Sequence, residues 1–203
     1  MINNVTVFNI RNCFSDIVDG EIGENAIQDI LSDFSCSKNP DIEKFLKAQS
    51  IEFTKKNQSV TYLVFSNDDA ALLGYFTLTI KPISINPDHF SNTVKRRIAR
   101  VSTQNPENGQ YSLAAYLIAQ LGKNYTNGMN HRISGKEQLE LALKKIEELR
   151  YEIGGMVVFL EAEENDFLMN FYENQNHFKR FDVRETKYCT GNEHKLVQLL
   201  KVL

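Results

Sequence analysis

Residues 111–150, YSLAAYLIAQLGKNYTNGMNHRISGKEQLELALKKIEELR, decide how this chain folds. Residues 111–121 are nearly continuously apolar, the composition of a central strand covered on both faces. A polar, turn-rich interval follows. Beyond it Leu139, Ala142, Leu143, Ile146 and Leu149 recur at the spacing of an amphipathic helix. Ser134 and Glu137 form the S-x-x-E capping pattern, which starts that helix at Ser134. A strand, a glycine-bearing turn and a helix N-terminus together make a seat for an anion. The N–H groups of Gly135, Lys136 and Glu137 lack partners within the helix, and the helix dipole favours negative charge there. Phosphate is the natural guest. A nucleotide triphosphate loop is excluded, because Gly128 lies too far upstream of Gly135-Lys136 for G-x-x-x-x-G-K and Glu137 stands where Ser or Thr is required.

The flanking sequence alternates strand and helix patterns. Residues 5–11 read as a first strand and 26–34 as a short helix. After Pro40 the segment DIEKFLKAQSIEFTKKN reads as one amphipathic helix with the proline in its first turn. Residues 61–65 and 73–80 are rich in β-formers, flank the turn signal Ser66-Asn-Asp-Asp69, and read as an antiparallel hairpin ended by Pro82 and Pro87. Tyr75, Thr77 and Thr79 share one face of its second strand, polar enough to line a cleft, so Tyr75 and Thr77 are candidate substrate contacts. Residues 91–101 read as a helix carrying Lys95, Arg96, Arg97 and Arg100, a second candidate contact, and 102–110 as an exposed loop. Residues 155–161 form a second buried strand, Asn165 caps the helix DFLMNFYENQN, and 178–183 and 195–203 supply closing strands. This order predicts an α/β (α+β) fold, one sheet with helices on both faces, in a single domain over residues 1–203.

Composition sets bounds. With 203 residues, 42% hydrophobic and 24% charged, the chain can bury a sizeable core. Its net charge of −3 gives no reason to expect broad nucleic-acid binding, which leaves the local basic run at Lys95 to Arg100 as the one electrostatic feature. Cys13, Cys36 and Cys189 are odd in number and widely spaced, and His89, His131, His177 and His194 are scattered, so neither disulfide framework nor metal site is expected. No signal-like N-terminus and no apolar run of about 18 residues is present, so the expected location is the cytoplasm, away from the membrane.

Two motifs and their spacing resemble the GNAT superfamily of acetyl-CoA-dependent N-acetyltransferases. The family has a strand, a pyrophosphate loop R/Q-x-x-G-x-G/A, a helix, a strand, and then a helix with N-x-x-x-x-x-F-Y-E followed by G-F. Here these are YLIAQLGKN, Arg132-Ile-Ser-Gly135-Lys-Glu137, the helix to Arg150, GGMVVFLEAE, and Asn165 with Phe171-Tyr172-Glu173 and His177-Phe178. Upstream, FSCSKNPDIEKFLKAQSIEF, TYLVF and LLGYFTL are similar to the N-terminal half of the toxin-like branch encoded in toxin–antitoxin operons. The chain departs from the pattern at Glu137, where the loop has Gly or Ala, at Gln120, where the toxin branch has Arg, and at His177, where Gly is expected. The Glu137 carboxylate has two options: to turn back and cap Ser134, or to point towards the pyrophosphate.

The resemblance implies a mainly antiparallel GNAT-like sheet, acetyl-CoA as cofactor and a set of roles. Leu121, Gly122 and Lys123 would pair with the pantetheine arm, and Arg132 and Ser134, Gly135, Lys136 and Glu137 would hold the pyrophosphate. Asn165 would contact the cofactor, and Tyr172 would be the general acid for the leaving thiolate. A phenol of pKa about 10 can protonate a thiolate of pKa about 8.5. Strand 111–121 holds no carboxylate or histidine to act as a base, and Glu161 and Glu163 are weak candidates, so either an acceptor amine of low pKa or a water that relays the proton is expected. A small molecule, a peptide N-terminus or an aminoacyl-tRNA qualifies. An antitoxin partner and a homodimer paired through sheet edges are further expectations. The reading from a different class is a non-catalytic GNAT fold that binds acyl-CoA or a protein as a regulator.

Overall fold

The computed structural model describes residues 4–14, 23–187 and 193–203, apart from the side chains of residues 89, 186, 187, 193 and 194. Cys189 and the side chains of His89 and His194 therefore lie outside the described residues. The strands make a mixed, mainly antiparallel open sheet, and the chain divides into two compact units, Met1–Thr79 with Ala119–Lys144 and Ile80–Ile118 with Lys145–Leu203. Strands β3 (Leu72–Ile85) and β5 (Tyr111–Lys123) run through both units, as does helix α5 (Gly135–Ile153).

In the first unit β1 (Val5–Asn9), β2 (Val60–Ser66), β3 and β5 lie side by side in that order. The expected first strand stops at Asn9, whose side chain accepts from Arg11 N and turns the chain into a short 3-10 helix, Ile10–Cys13. The hairpin pairs Val60 with Leu78 and Leu63 with Tyr75, with a bulge at Val64/Phe65. The same sheet face is covered by α1 (Glu24–Ser32), α2 (Pro40–Ala48) and α3 (Ser50–Lys55). Ile27, Leu31, Phe34, Leu46 and Ile51 pack there against Leu63 and Tyr75. One long helix was expected after Pro40. Gln49 leaves helical geometry at φ −127°, and the Ser50 and Thr54 hydroxyls bond back to Leu46 O and Ser50 O, a pattern that bends helices.

In the second unit the order is β3, β5, β6 (Val157–Glu163), β8 (Glu193–Val202), β7 (Lys179–Lys187), with β4 (Thr103–Gln104) paired to β5. The short β4 replaces part of the expected loop, since Thr103 and Gln104 pair with Ser112 and Tyr111. β3 continues past Pro82 to Ile85, although the proline was expected to end it. The ladder to β2 ends at Leu78, so Pro82, which has no N–H to give, costs that ladder no bond. Helix α4 (Asn92–Ala99) is capped by Ser91 and buries Ile98 in a core with Ile85, Leu113, Phe159 and Leu200. β5 and β6 pair in parallel, Tyr116–Ile118 against Val158–Leu160, and β5 runs on for Ala119–Lys123 beyond that ladder. No helix among the described residues is long and apolar enough to cross a membrane.

Candidate functional site

The capping pattern at the start of α5 is closed in both directions. Glu137 N donates to Ser134 Oγ at 3.1 Å, and Ser134 N donates to a Glu137 carboxylate oxygen at 2.8 Å. The carboxylate has thus turned back onto the cap. The bond from Ser134 N, and then the one with its hydroxyl, hold its pKa below the ordinary carboxylate value. Three free N–H groups were expected here. Closure of the box consumes that of Glu137, and the first helical bond, Gln138 N to Ser134 O, consumes the next. Gly135 N and Lys136 N have no acceptor among the described residues.

Lys123, at the end of β5, reaches across the foot of this turn and donates to Asn130 O at 2.8 Å and Ile133 O at 3.2 Å. Burial lowers its pKa, Lys38 nearby lowers it further and Glu137 raises it. Leu121 and Gly122 precede it, and a Cβ on Gly122 would meet the Ile42 and Tyr75 side chains, which explains the glycine. Arg132 is differently engaged from its expected role at the pyrophosphate. Its guanidinium grips Asp69 at 2.8 and 2.9 Å and donates to Ser66 Oγ at 2.8 Å, because the β2–β3 turn presents a carboxylate with matching fork geometry. Asp69 is correspondingly pulled down from 3.8 to about 2. Lys136 is exposed, 4.0 Å from Glu140.

In the second unit Asn165 caps α6 (Asp166–Met169), its side chain accepting from Leu168 N at 2.9 Å. The helix then widens into a π turn, Asn170–Gln175, that carries Tyr172. Residue 177 has φ +60°, the left-handed position that glycine favours, so the motif's glycine site is occupied by His177 under strain. That turn lets Phe178 N reach Tyr172 O at 3.0 Å. The Tyr172 ring sits edge-on against Phe171 at 4.9 Å and Phe178 at 5.9 Å, 9% exposed, and its hydroxyl has no hydrogen-bond partner among the described residues. Burial pushes its pKa up to about 12. Beside the turn a shallow polar depression of about 290 Å³ is bounded by Asp166, Glu173 and Arg180, and Arg180 bridges Glu173 and Glu164 at 2.7 Å each.

The expected substrate contacts divide. Tyr75 and Thr77 do not line a cleft; both are fully buried, Tyr75 in the core formed with α1 to α3. Tyr75 donates to Ile42 O at 2.7 Å and Thr77 pairs with Thr61 at 2.8 Å, so helices that the sheet pattern does not announce cover the polar face. On α4, Lys95 lies 3.5 Å from Asp88 and Arg97 donates to Leu203 O. Arg96 and Arg100 are exposed, with no partner among the described residues. Glu161 is tied to Arg184 and Gln198. No group of three His, Cys, Asp or Glu among the described residues could hold a metal. Gln138 is a residue that sequence reasoning passed over; its signal was a glutamine on the inward face of an otherwise apolar stripe.

No protein-family model matches the sequence, and none of the curated proteins matches it. Solved structures do. A tyrosine-to-phenylalanine mutant of KacT superposes with a TM-score of 0.61 at 17% identity, covering 98% of this chain and 95% of KacT. A structure described as a bacterial toxin gives 0.60 at 16%, covering 98% and 90%. The chain has the GNAT fold of these toxins. AtaT, solved with acetyl-methionyl-tRNAfMet, gives 0.59 at 15%, covering 96% and 94%, and its tyrosine-to-phenylalanine mutant has also been solved with the C-terminus of the antitoxin AtaR and acetyl-CoA.

Proposed function

We propose that this chain is an acetyl-CoA-dependent N-acetyltransferase that passes acetyl to a primary amine by direct attack in a ternary complex, with the α-amine of an aminoacyl-tRNA as acceptor and an antitoxin as protein partner. The observation that carries the reading is Tyr172: a phenol whose ring is buried and whose hydroxyl has no hydrogen-bond partner among the described residues, on a π turn, at the position of the family's general acid. Two of the structural neighbours, KacT and AtaT, were themselves solved as tyrosine-to-phenylalanine mutants.

The N–H groups of Gly135 and Lys136, with the ammonium of Lys123 behind them, suit a pyrophosphate. The backbone of Leu121–Lys123, beyond the parallel ladder, suits the pantetheine arm. Arg132 supports this turn through Asp69 and does not itself hold the anion. Acetyl-CoA, when bound, supplies an acyl group activated as a thioester. The neutral amine forms the C–N bond, and Tyr172 gives its phenolic proton to sulfur as the C–S bond breaks. The surplus proton of the amine leaves to water. Burial keeps Tyr172 protonated at neutral pH but makes it a weaker acid in the ground state, so its transfer is coupled to C–S cleavage. An α-amine of pKa about 8 is about one-tenth neutral at pH 7 and needs no base. Arg96 and Arg100 supply cations for a phosphate backbone, in the cytoplasm where aminoacyl-tRNA is found.

The test is Tyr172→Phe, assayed for acetylation of aminoacyl-tRNA and, separately, for acetyl-CoA binding by calorimetry. The expected result is a turnover loss of about 100-fold or more with the binding constant unchanged. Unchanged turnover would remove Tyr172 from the chemistry. Binding without any acetyl transfer by the unsubstituted protein would favour the non-catalytic regulator.

A further inference from the structure

Gln138 is polar where α5 faces inward. It is 1% exposed, while Leu139, Ala142 and Ile146 continue the helix's buried face. Its side-chain amide lies 2.7 Å from Tyr75 O and 2.6 Å from Gly122 O. Both partners are carbonyl oxygens, so the contacting atom is the amide nitrogen, and its two protons go to different strands, β3 and β5. Gly74 and Gly122 make the room. A Cβ on Gly74 would lie 2.6 Å from Gly122 O and 2.7 Å from Gln138 Nε2, and one on Gly122 would run into Ile42 and come within 3.0 Å of Tyr75 Cε1. Neither glycine has positive φ, so close approach and not backbone conformation explains them. A helix that only needed to cover a sheet would carry an apolar residue here, at no polar desolvation cost.

We propose that Gln138 is a positioning residue for the acyl donor. It sets the spacing between the end of β5, Leu121–Lys123, and the N–H groups of Gly135 and Lys136, which have no acceptor among the described residues, one turn of helix away. The proposal rests on the acetyl-CoA reading above. Pantetheine and pyrophosphate belong to one covalent chain, so two patches that grip them reinforce each other only when their separation matches its reach. Gln138 bonds directly to Gly122 O and lies three residues along the helix from Gly135, so it joins the two patches by a short route.

The experiment uses the full chain with Gln138→Met, which keeps volume but loses both donors, and Gln138→Asn, which keeps the amide but withdraws it by one methylene. Acetyl-CoA and acetyl-pantetheine, which lacks the pyrophosphate, are each titrated at a temperature where circular dichroism shows the protein folded. The expected result is a loss of about tenfold in acetyl-CoA affinity with acetyl-pantetheine affinity unchanged, the mark of a lost match between patches. Equal losses for both ligands, or none for either, would overturn the proposal and leave Gln138 a packing residue. If Gln138→Met fails to fold, Gln138→Asn decides between the same outcomes. An unsubstituted protein that binds neither ligand would instead remove the acetyl-CoA reading itself, and this inference with it.

Discussion

Replacing Glu137 by Gln should tighten acetyl-CoA binding, although it weakens the helix that carries the site. The carboxylate is held on Ser134 N at 2.8 Å, at the mouth of the turn whose N–H groups at Gly135 and Lys136 have no acceptor among the described residues. An anion seated on those groups lies about one helical turn, about 5.4 Å, from it. At that separation two unit charges in water interact by about 0.8 kcal/mol, so a doubly charged pyrophosphate is opposed by about 1.5 kcal/mol. At about 0.15 M salt, with a Debye length of about 8 Å, roughly half survives, about 0.8 kcal/mol or fourfold in affinity. At about 0.01 M, with a Debye length of about 30 Å, about 1.3 kcal/mol survives, or about ninefold. Lys123 partly compensates Glu137, so these figures are upper values. Glutamine keeps the reciprocal cap, and the helix loses only its charge–dipole term of about 0.3–1 kcal/mol. The assay is calorimetric titration of both proteins at the two salt concentrations, with chemical denaturation alongside. Affinity should rise, and rise more at low salt, while stability falls. An affinity that drops, or a gain that ignores salt, would refute the electrostatic reasoning and show that the carboxylate itself contacts the ligand.

Two further outcomes follow from local geometry. His177→Gly relieves a left-handed strain of about 1–2 kcal/mol but adds unfolded-state freedom, for a net gain of about 0.5–1 kcal/mol by denaturant titration; a loss would mean that the His177 side chain stabilises the turn. Asp69 has its folded pKa depressed from 3.8 to about 2, chiefly by Arg132. Its stabilising contribution is therefore present above pH 3.8 and lost as pH falls towards 2, and Asp69→Asn should flatten the stability–pH curve in that window. An unchanged slope there would show that the pair is not kept in solution.

Features that a few neighbouring residues decide were legible in the sequence. The cap at Ser134, the helix after it, the hairpin around residues 66–71 and the Asn165 cap all depend on hydrogen bonds and periodicities spanning four residues or fewer, and the structure places each of them. The expected glycine at residue 177 was likewise a local demand, answered here by a strained histidine. Partner choice across long separations was not legible. Arg132 finds Asp69 63 residues away, Gln138 finds Tyr75 at the same separation, and nothing in either segment alone names its partner. The polar face of Tyr75 and Thr77 read as a cleft because alternation shows which residues share a face but not what covers it. Pro82 read as a strand end because its missing donor matters only if a neighbouring strand asks for it, and β2 has already ended. Sequence alone determined the capped turn at Ser134, the hairpin and the Asn165 cap, since backbone chemistry within one turn is nearly context-free. Tertiary structure alone decided which charges are spent, which hydroxyls are buried and which donors remain open, because those depend on the energy of burying one segment against another.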